Sequence, residues 1–265
     1  MVEHRRSALR TAVVWDVLQT ELAGLDDAGL DDAGSAAAAA DPAAGRGVQG
    51  RVVDLGGGTG EFAVRVAELG HEVTVVDPSP DALAALDRRA TEAGVVERVH
   101  GIQGDAADLS TLVETGSVDV VLCHGVLEYV DDPGAALEAI GGVLRPDGIL
   151  SVLVANRLAA VVARALSGHF DQARAVLETS AAQWDPDTQG PRRYTRDEVV
   201  QLLRSSAFTP QTVHAVRVFT DLVPSTLVDA EPGAPAALLA LERSAADVAE
   251  LAAVSAQLHL LARRT

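Results

Sequence analysis

Lysine is missing from this chain altogether: its 21 basic side chains are all arginine, set against 38 aspartates and glutamates, for a formal net charge of −17. So uniform a use of arginine reads as the base composition of the gene rather than as chemistry. The shortage of positive charge excludes broad, non-specific nucleic-acid binding, because phosphate attraction needs a basic field. A local basic patch remains compatible with it. Cysteine occurs once, as Cys123, which rules out an intrachain disulfide and a cysteine-built metal cage; no metal site is expected. No apolar run approaches the roughly 18 residues of a membrane span, and the charges of MVEHRRSALR are not followed by the apolar stretch of an export signal. The expectation is a soluble protein of a reducing cytoplasm with no membrane partner. Aromatic residues make up only 3%, so those in polar segments become candidate pocket walls.

What is present is enough apolar material, 48% of 265 residues, to bury one substantial core. Residues 7–23 carry Leu9, Val13, Val17 and Leu22 at helical spacing and predict a leading helix. Residues 24–49 are rich in Ala, Gly and Asp and predict a flexible linker. From Arg51 the pattern becomes strand–helix alternation: RVVDLG, HEVTVVD, residues 99–103, VDVVLCH and GILSVLVAN read as strands separated by helical stretches. Such alternation implies a doubly wound α/β fold with right-handed crossovers. It lapses at 157–193, which reads as a helical lid insertion. Residues 194–265 return to order, with a Thr195–Glu198 capping pair and two last strands, QTVHAVRVF and SAQLHLLAR. The whole is read as a single domain, residues 50–156 forming its cofactor-binding half.

The loop Asp54-Leu55-Gly56-Gly57-Gly58-Thr59-Gly60 follows one strand and opens a helix. Glycines there let the backbone turn tightly and come close to a ligand. Gly58, Gly60 and Ala63 also satisfy a dinucleotide pattern, so glycine alone decides nothing. Asp54 does: immediately before the glycines a carboxylate suits the amino group of a methionine moiety and repels a pyrophosphate. Asp77, at the end of the second strand, is placed to accept ribose hydroxyls. Asp105, Ala106 and Ala107 after the third strand could border an adenine. His124 follows the fourth strand, where it could contact the cofactor or, for a hydroxyl or amine substrate, take a proton. These motifs, with VLRPDG before the fifth strand, resemble those of class I S-adenosylmethionine (SAM) dependent methyltransferases and imply their Rossmann-like seven-stranded sheet, last strand antiparallel.

The resemblance narrows through LRTAVVW, VVDLGGGTGEFAVRVAELGHEVTVVDPS, CHGVLEYVDDP, LSVLVANRLAAVVARALSGHFDQA and VRVFTDLVP. Together these are similar to the tRNA 5-carboxymethoxyuridine methyltransferase family, which esterifies the carboxylate of a modified wobble uridine with the methyl group of SAM. The similarity implies cofactor contacts from Arg10, Gly56, Gly57, Asp77, Ala106, Ala107 and His124, and a substrate-carboxylate clamp at Arg217. Two departures bear on the partner: the family's Tyr-Gly-Thr-Thr-Lys-Gly lead-in is missing, and its lysine-rich stretch after the lid is here AAQWDPDTQGPRRY. Arg192, Arg193 and Arg196 around Tyr194 remain as phosphate contacts for a tRNA anticodon loop; a small metabolite is the alternative substrate. Trp184 and Tyr194 are candidate stacking surfaces for a base. Methyl transfer to a carboxylate, already ionised at neutral pH, needs no general base, and none is assigned.

Overall fold

A computed structural model describes residues 2–32, 49–184 and 190–265. Seven strands form one sheet: β1 (Arg51–Leu55), β2 (Glu72–Asp77), β3 (Val99–Gln103), β4 (Val118–His124), β5 (Leu144–Ala155), β6 (Phe208–Val216) and β7 (Gln257–Arg264), in the order β3-β2-β1-β4-β5-β7-β6. The first five are mutually parallel, and β7 runs antiparallel between β5 and β6. The strand order reverses between β1 and β4, which makes the carboxyl ends of those two strands the natural place for a ligand.

Both faces of the sheet are covered, which is why its strands read as apolar runs rather than as clean alternation. One face packs against α1 (Val2–Asp32), α2 (Glu61–Glu68) and α3 (Pro80–Glu92); its core includes Val14, Leu18, Leu22, Val66, Leu86, Val120 and Leu122. The other packs against α4 (Leu109–Leu112), α5 (Pro133–Val143) and, beyond the lid, α8 (Arg196–Ser205); Leu109, Leu137, Ile140, Val121, Val152 and Leu203 lie in that core. The insertion expected to act as a lid contains α6 (Arg157–Leu166) and α7 (Phe170–Glu178). Three short helices, α9 (Ser225–Ala230), α10 (Ala234–Ala245) and α11 (Ala249–Ala252), connect β6 to β7.

The helix at the amino terminus differs from expectation in extent and in phase. It runs to Asp32, through nine residues assigned to a linker; Ala, Leu and Asp sustain a helix, and two glycines in separate turns each cost only about 1 kcal/mol. Residues 33–48 of the linker lie outside the described residues. The buried stripe is Val14, Leu18, Leu22 and Leu25, so Leu9 and Val17 sit at its margin. Trp15 is covered by the Arg65 guanidinium, 3.8 Å above its ring centre, and the Arg243 fork pairs with Asp16 at 2.7 Å.

Two side chains anchor the lid. Asn156 Nδ2 donates to the carbonyls of Ala252, Ala253 and Ser255, while its Oδ1 caps α6 at the Leu158 amide. Glu198 completes the expected capping box with Thr195 and also accepts from Arg157 Nη1 (2.9 Å) and the Ala181 amide (3.0 Å). One carboxylate thereby ties both ends of the lid to the helix that follows it. His71, just before β2, is buried, and its Nδ1 accepts from the Gly50 amide at 3.2 Å.

Candidate active site

The β1–α2 loop folds tightly because its glycines leave no Cβ in the way. Gly56 has φ +67° and its amide donates to the Val76 carbonyl; a Cβ there would stand 2.7 Å from Val126 Cγ2. A Cβ on Gly57 would stand 2.5 Å from the Asp54 carboxylate, so the backbone lies directly on that acid. Burial, then the negative charge of Asp77, push the Asp54 carboxyl up to about 7 against a hydrogen bond from the Ala63 backbone. An acid so placed gains most from a cation beside it.

Asp77 ends β2 as expected. Its Oδ2 accepts from the Gly58 amide at 2.9 Å and its Oδ1 from the Ser79 amide at 2.9 Å. Two backbone contacts fix the carboxylate while leaving each oxygen an acceptor position for a hydroxyl. Asp105 is held by the Ala107 amide at 2.7 Å. Asp77, Asp105, Ala106, Ala107 and Gly56 line one cleft of about 730 Å³, closed on its other wall by Val126, Tyr129 and Val130 after β4. These residues, brought together from three strand ends, fit a nucleoside with an amino acid tail. Glycine backbone and Asp54 suit the amino acid end, Asp77 the ribose, and residues 105–107 the base. Gly60, φ +77°, starts α2.

His124 is not among the residues that line that cleft. Phe62 meets it edge-on at 4.9 Å, and its Nε2 lies 2.8 Å from Ser151 Oγ. Burial pushes the imidazole down to about 3, so at neutral pH it is an uncharged ring. Arg10 is exposed on α1, one residue from Thr11, whose hydroxyl lies 3.4 Å from Glu61 at the start of α2.

The three substrate candidates fare differently. Arg217 follows β6 at the ligand edge of the sheet, with φ +59°, but its fork is engaged by Asp221 through Nε (3.3 Å) and Nη2, and Nη1 meets Gln257 at 3.3 Å. Any outside carboxylate must displace Asp221. Tyr194 is interior, its hydroxyl donating to the Leu127 carbonyl at 2.8 Å. Trp184 is interior too, its indole N–H donating to the Gly190 carbonyl at 2.6 Å and its ring packed with Ala160 and Val176. Neither ring offers a free face to a base, which corrects the stacking expectation: Trp184 packs within the insertion and Tyr194 belongs to the core of the sheet. The basic trio also divides. Arg192 caps the Leu127 and Val130 carbonyls, and Arg196 is exposed beside Asp197. Arg193 is half-buried beside Glu128.

Sequence reasoning missed Glu128, Ser151 and His259, all buried. Glu128 Oε1 accepts from the Ala155 amide at 2.8 Å, joining the ends of β4 and β5, while Oε2 has no partner; burial pushes this carboxyl up. A carboxylate inside the apolar run GVLEYV was its signal. Cys123 is fully enclosed, its thiol pushed above the ordinary range by burial, then by the charges of Glu128 and Asp54. Among the described residues no group of three or more His, Cys, Asp or Glu is placed to hold a metal ion, and no helix is long and apolar enough to cross a membrane.

Residues 53–152 match the family model described as a methyltransferase domain. This span holds the glycine loop, both acids and His124. Over this span the chain is similar to a methyltransferase domain. SAM is a nucleoside with an amino acid tail, the chemistry this cleft fits. Among curated relatives, the tRNA 5-carboxymethoxyuridine methyltransferase of Escherichia coli (strain K12) is 33% identical over 174 residues, 64% of this chain. The chain spans 64% of that relative's length. A ubiquinone biosynthesis O-methyltransferase of Xanthomonas axonopodis pv. citri (strain 306) is 35% identical over 120 residues, 44% of this chain and 48% of the relative. Among solved structures, the [4+2]-cyclase SpnF superposes with a TM-score of 0.53 at 21% identity, covering 82% of this chain and 75% of that one. A geranyl diphosphate methyltransferase bound to GPP and sinefungin gives 0.53 at 18% identity, covering 82% and 71%. These two establish the fold of the methyltransferase domain, not its acceptor.

Proposed function

We propose that this methyltransferase esterifies a carboxylate, and that the carboxylate is that of 5-carboxymethoxyuridine in the anticodon loop of tRNA. The observation that carries the reading is the state of His124. It ends β4 with Phe62 of α2 edge-on at 4.9 Å, and burial lowers its imidazole to about 3, which makes it a poor acceptor for a proton from a hydroxyl or amine at neutral pH. The site therefore suits an acceptor that arrives ionised, as a carboxylate does. The cofactor, when bound, supplies an electrophilic methyl group. The chain's own residues supply alignment: Asp54, Gly56 and Gly57 hold the amino acid end, Asp77 the ribose, and residues 105–107 the base. Positioning of this kind contributes up to about 7 to 11 kcal/mol to catalysis. Arg217 is the acceptor clamp, with Asp221 as the counter-ion that an incoming carboxylate replaces. The 33% identical E. coli relative, a tRNA 5-carboxymethoxyuridine methyltransferase, supports this acceptor.

A second reading, a small carboxylic acid as acceptor, is favoured by the net charge of −17 and by Arg192, which is consumed by internal carbonyls. Nucleoside mass spectrometry of tRNA separates the two. A strain deleted for the gene is expected to accumulate the free acid of the modified uridine and to lose its methyl ester. An unchanged ester content overturns the tRNA reading and leaves the small acid.

A further inference from the structure

A charge taken out of water is costly unless an opposite charge meets it, and two arginines beside the cleft go unmatched. Arg164 lies in α6 and Arg193 in the segment leading into α8; both are half-buried, so each keeps an accessible part. Neither makes an ion pair among the described residues. Arg193 has no hydrogen-bond partner there either, and Arg164 gives only Nη1, to the Ala160 carbonyl one turn back at 3.3 Å. Their sequence neighbours are satisfied. Arg157, two turns earlier on α6, pairs with Glu198 at 2.9 Å, and Arg192 meets the Val130 carbonyl at 2.9 Å.

The backbone dictates where Arg193 points. Tyr194 forms a β-bridge with Asn156: its amide donates to the Ala155 carbonyl at 3.0 Å, and its carbonyl accepts from the Arg157 amide at 2.9 Å. Arg192 and Tyr194 both reach the Leu127 carbonyl, at 3.5 and 2.8 Å, so they share one side of this strand-like segment. Side chains alternate along extended backbone, which turns Arg193 to the other side. There it lies within electrostatic reach of Arg164, Glu128 and Tyr129; burial, then the like charge of Arg164, lower its guanidinium against the pull of the other two. Glu128 does not discharge it, since this carboxylate forms no ion pair and its Oε1 is committed to the Ala155 amide at 2.8 Å. Two half-desolvated cations that repel each other gain most from an anion shared between them.

The neighbouring cleft wall supplies a second element. Tyr129 lines the cleft and yet keeps its ring largely exposed. An open aromatic face beside two guanidinium forks is what a single nucleic-acid strand needs: a platform for one base and fixed donors for the phosphate next to it. Arginine forks present paired N–H groups that match phosphate oxygens. The buried rings of Trp184 and Tyr194 offer no such platform, and the carbonyls of Leu127 and Val130 already hold Arg192.

We propose that Arg164 and Arg193 form an oxyanion site beside the cleft wall that takes a phosphate of the acceptor strand, with Tyr129 stacking on the adjacent base. The strand rests on the tRNA reading above; the oxyanion site does not.

Arginine Nε–Hε spectra of ¹⁵N-labelled protein, titrated with inorganic phosphate at constant ionic strength, read the oxyanion site without RNA. The two resonances that vanish in Arg164→Gln and Arg193→Gln are expected to shift saturably, and each to stop responding when the other arginine is replaced. Absence of a shift, or a response that one variant keeps in full, overturns the site. Fluorescence anisotropy with a labelled anticodon stem-loop carrying 5-carboxymethoxyuridine then tests the strand. Each arginine variant is expected to weaken the stem-loop Kd about tenfold and to lower the slope of log Kd against log salt by about one. An unchanged Kd for S-adenosylhomocysteine shows that both variants fold. Tyr129→Ala is expected to weaken the stem-loop about tenfold, whereas Tyr129→Phe binds it as the wild type does. Stem-loop binding that all three disruptive variants leave unaltered overturns the strand assignment. Wild-type protein that responds to phosphate at both arginines but binds no stem-loop sinks the tRNA reading alone and leaves the oxyanion site standing.

Discussion

At the scale of single residues, the two acids at the ends of β1 and β2 have opposite assignments. Asp77 is preorganised by two backbone amides. Asp77→Ala is expected to weaken SAM binding by about 1 to 3 kcal/mol through lost hydrogen bonds, measured by calorimetry. Asp54 is different, because its carboxyl is pushed up from 3.8 to about 7. A raised carboxyl pKa means the folded state binds a proton that the unfolded state has released. The stability it contributes is complete below about pH 4 and is lost as pH rises through 7. An ammonium group brought beside Asp54 reverses the preference, so SAM binding at pH 6 is expected to release close to one proton. Binding heats in buffers of different ionisation enthalpy measure that release. Asp54→Asn should abolish it; a release unchanged in that variant rejects the contact.

At the scale of elements, Glu198 is the joint between lid and sheet. Burial raises its carboxyl, but hydrogen bonds from Thr195 and Ala181 and the charge of Arg157 outweigh this and hold it below the usual range. Its contribution is thus present above the ordinary carboxylate range and lost as pH falls through its lowered value. Glu198→Gln is expected to raise hydrogen exchange in 157–184 while leaving β1, β2 and β4 protected. The leading helix is held more conventionally: Leu18 is wholly buried, and Leu18→Ala is expected to cost about 2 to 5 kcal/mol, read by urea denaturation. Here the sequence was legible where a pattern repeats within one element. VDVVLCH gave β4 residue for residue, and Thr195 with Glu198 gave the start of α8. It was less legible where tertiary contacts choose. Four apolar positions predicted a stripe on α1, but adjacent Val13, Val14 and Trp15 compete for the core and the sheet takes a slightly rotated face.

At the scale of the molecule, the cofactor loop was readable because its chemistry is local: glycines, two acids and their strand ends lie within 24 residues of sequence, from Asp54 to Asp77. The line of His124, Ser151 and His259 spans three strands and 136 positions, from 124 to 259, and no spacing rule connects them. Burial of Trp184 and Tyr194 was illegible for the same reason, since what covers them comes from elsewhere in the chain. Covered faces on a single sheet also predict how the whole protein responds to its cofactor. SAM at 100 times its Kd is expected to stabilise the fold by about 2.7 kcal/mol, seen as a rise in Tm; Gly57→Ala, whose added carbon would meet Asp54 at 2.5 Å, should remove that rise.

The seclusion of Cys123 offers a practical opening, since no other thiol exists in the chain. Maleimide reagents find nothing to attack on the native surface. Tyr129→Cys, at a cleft-wall position that is 73% exposed, would supply one addressable sulfur, and a dye placed there would report occupancy of the cleft against a dark background.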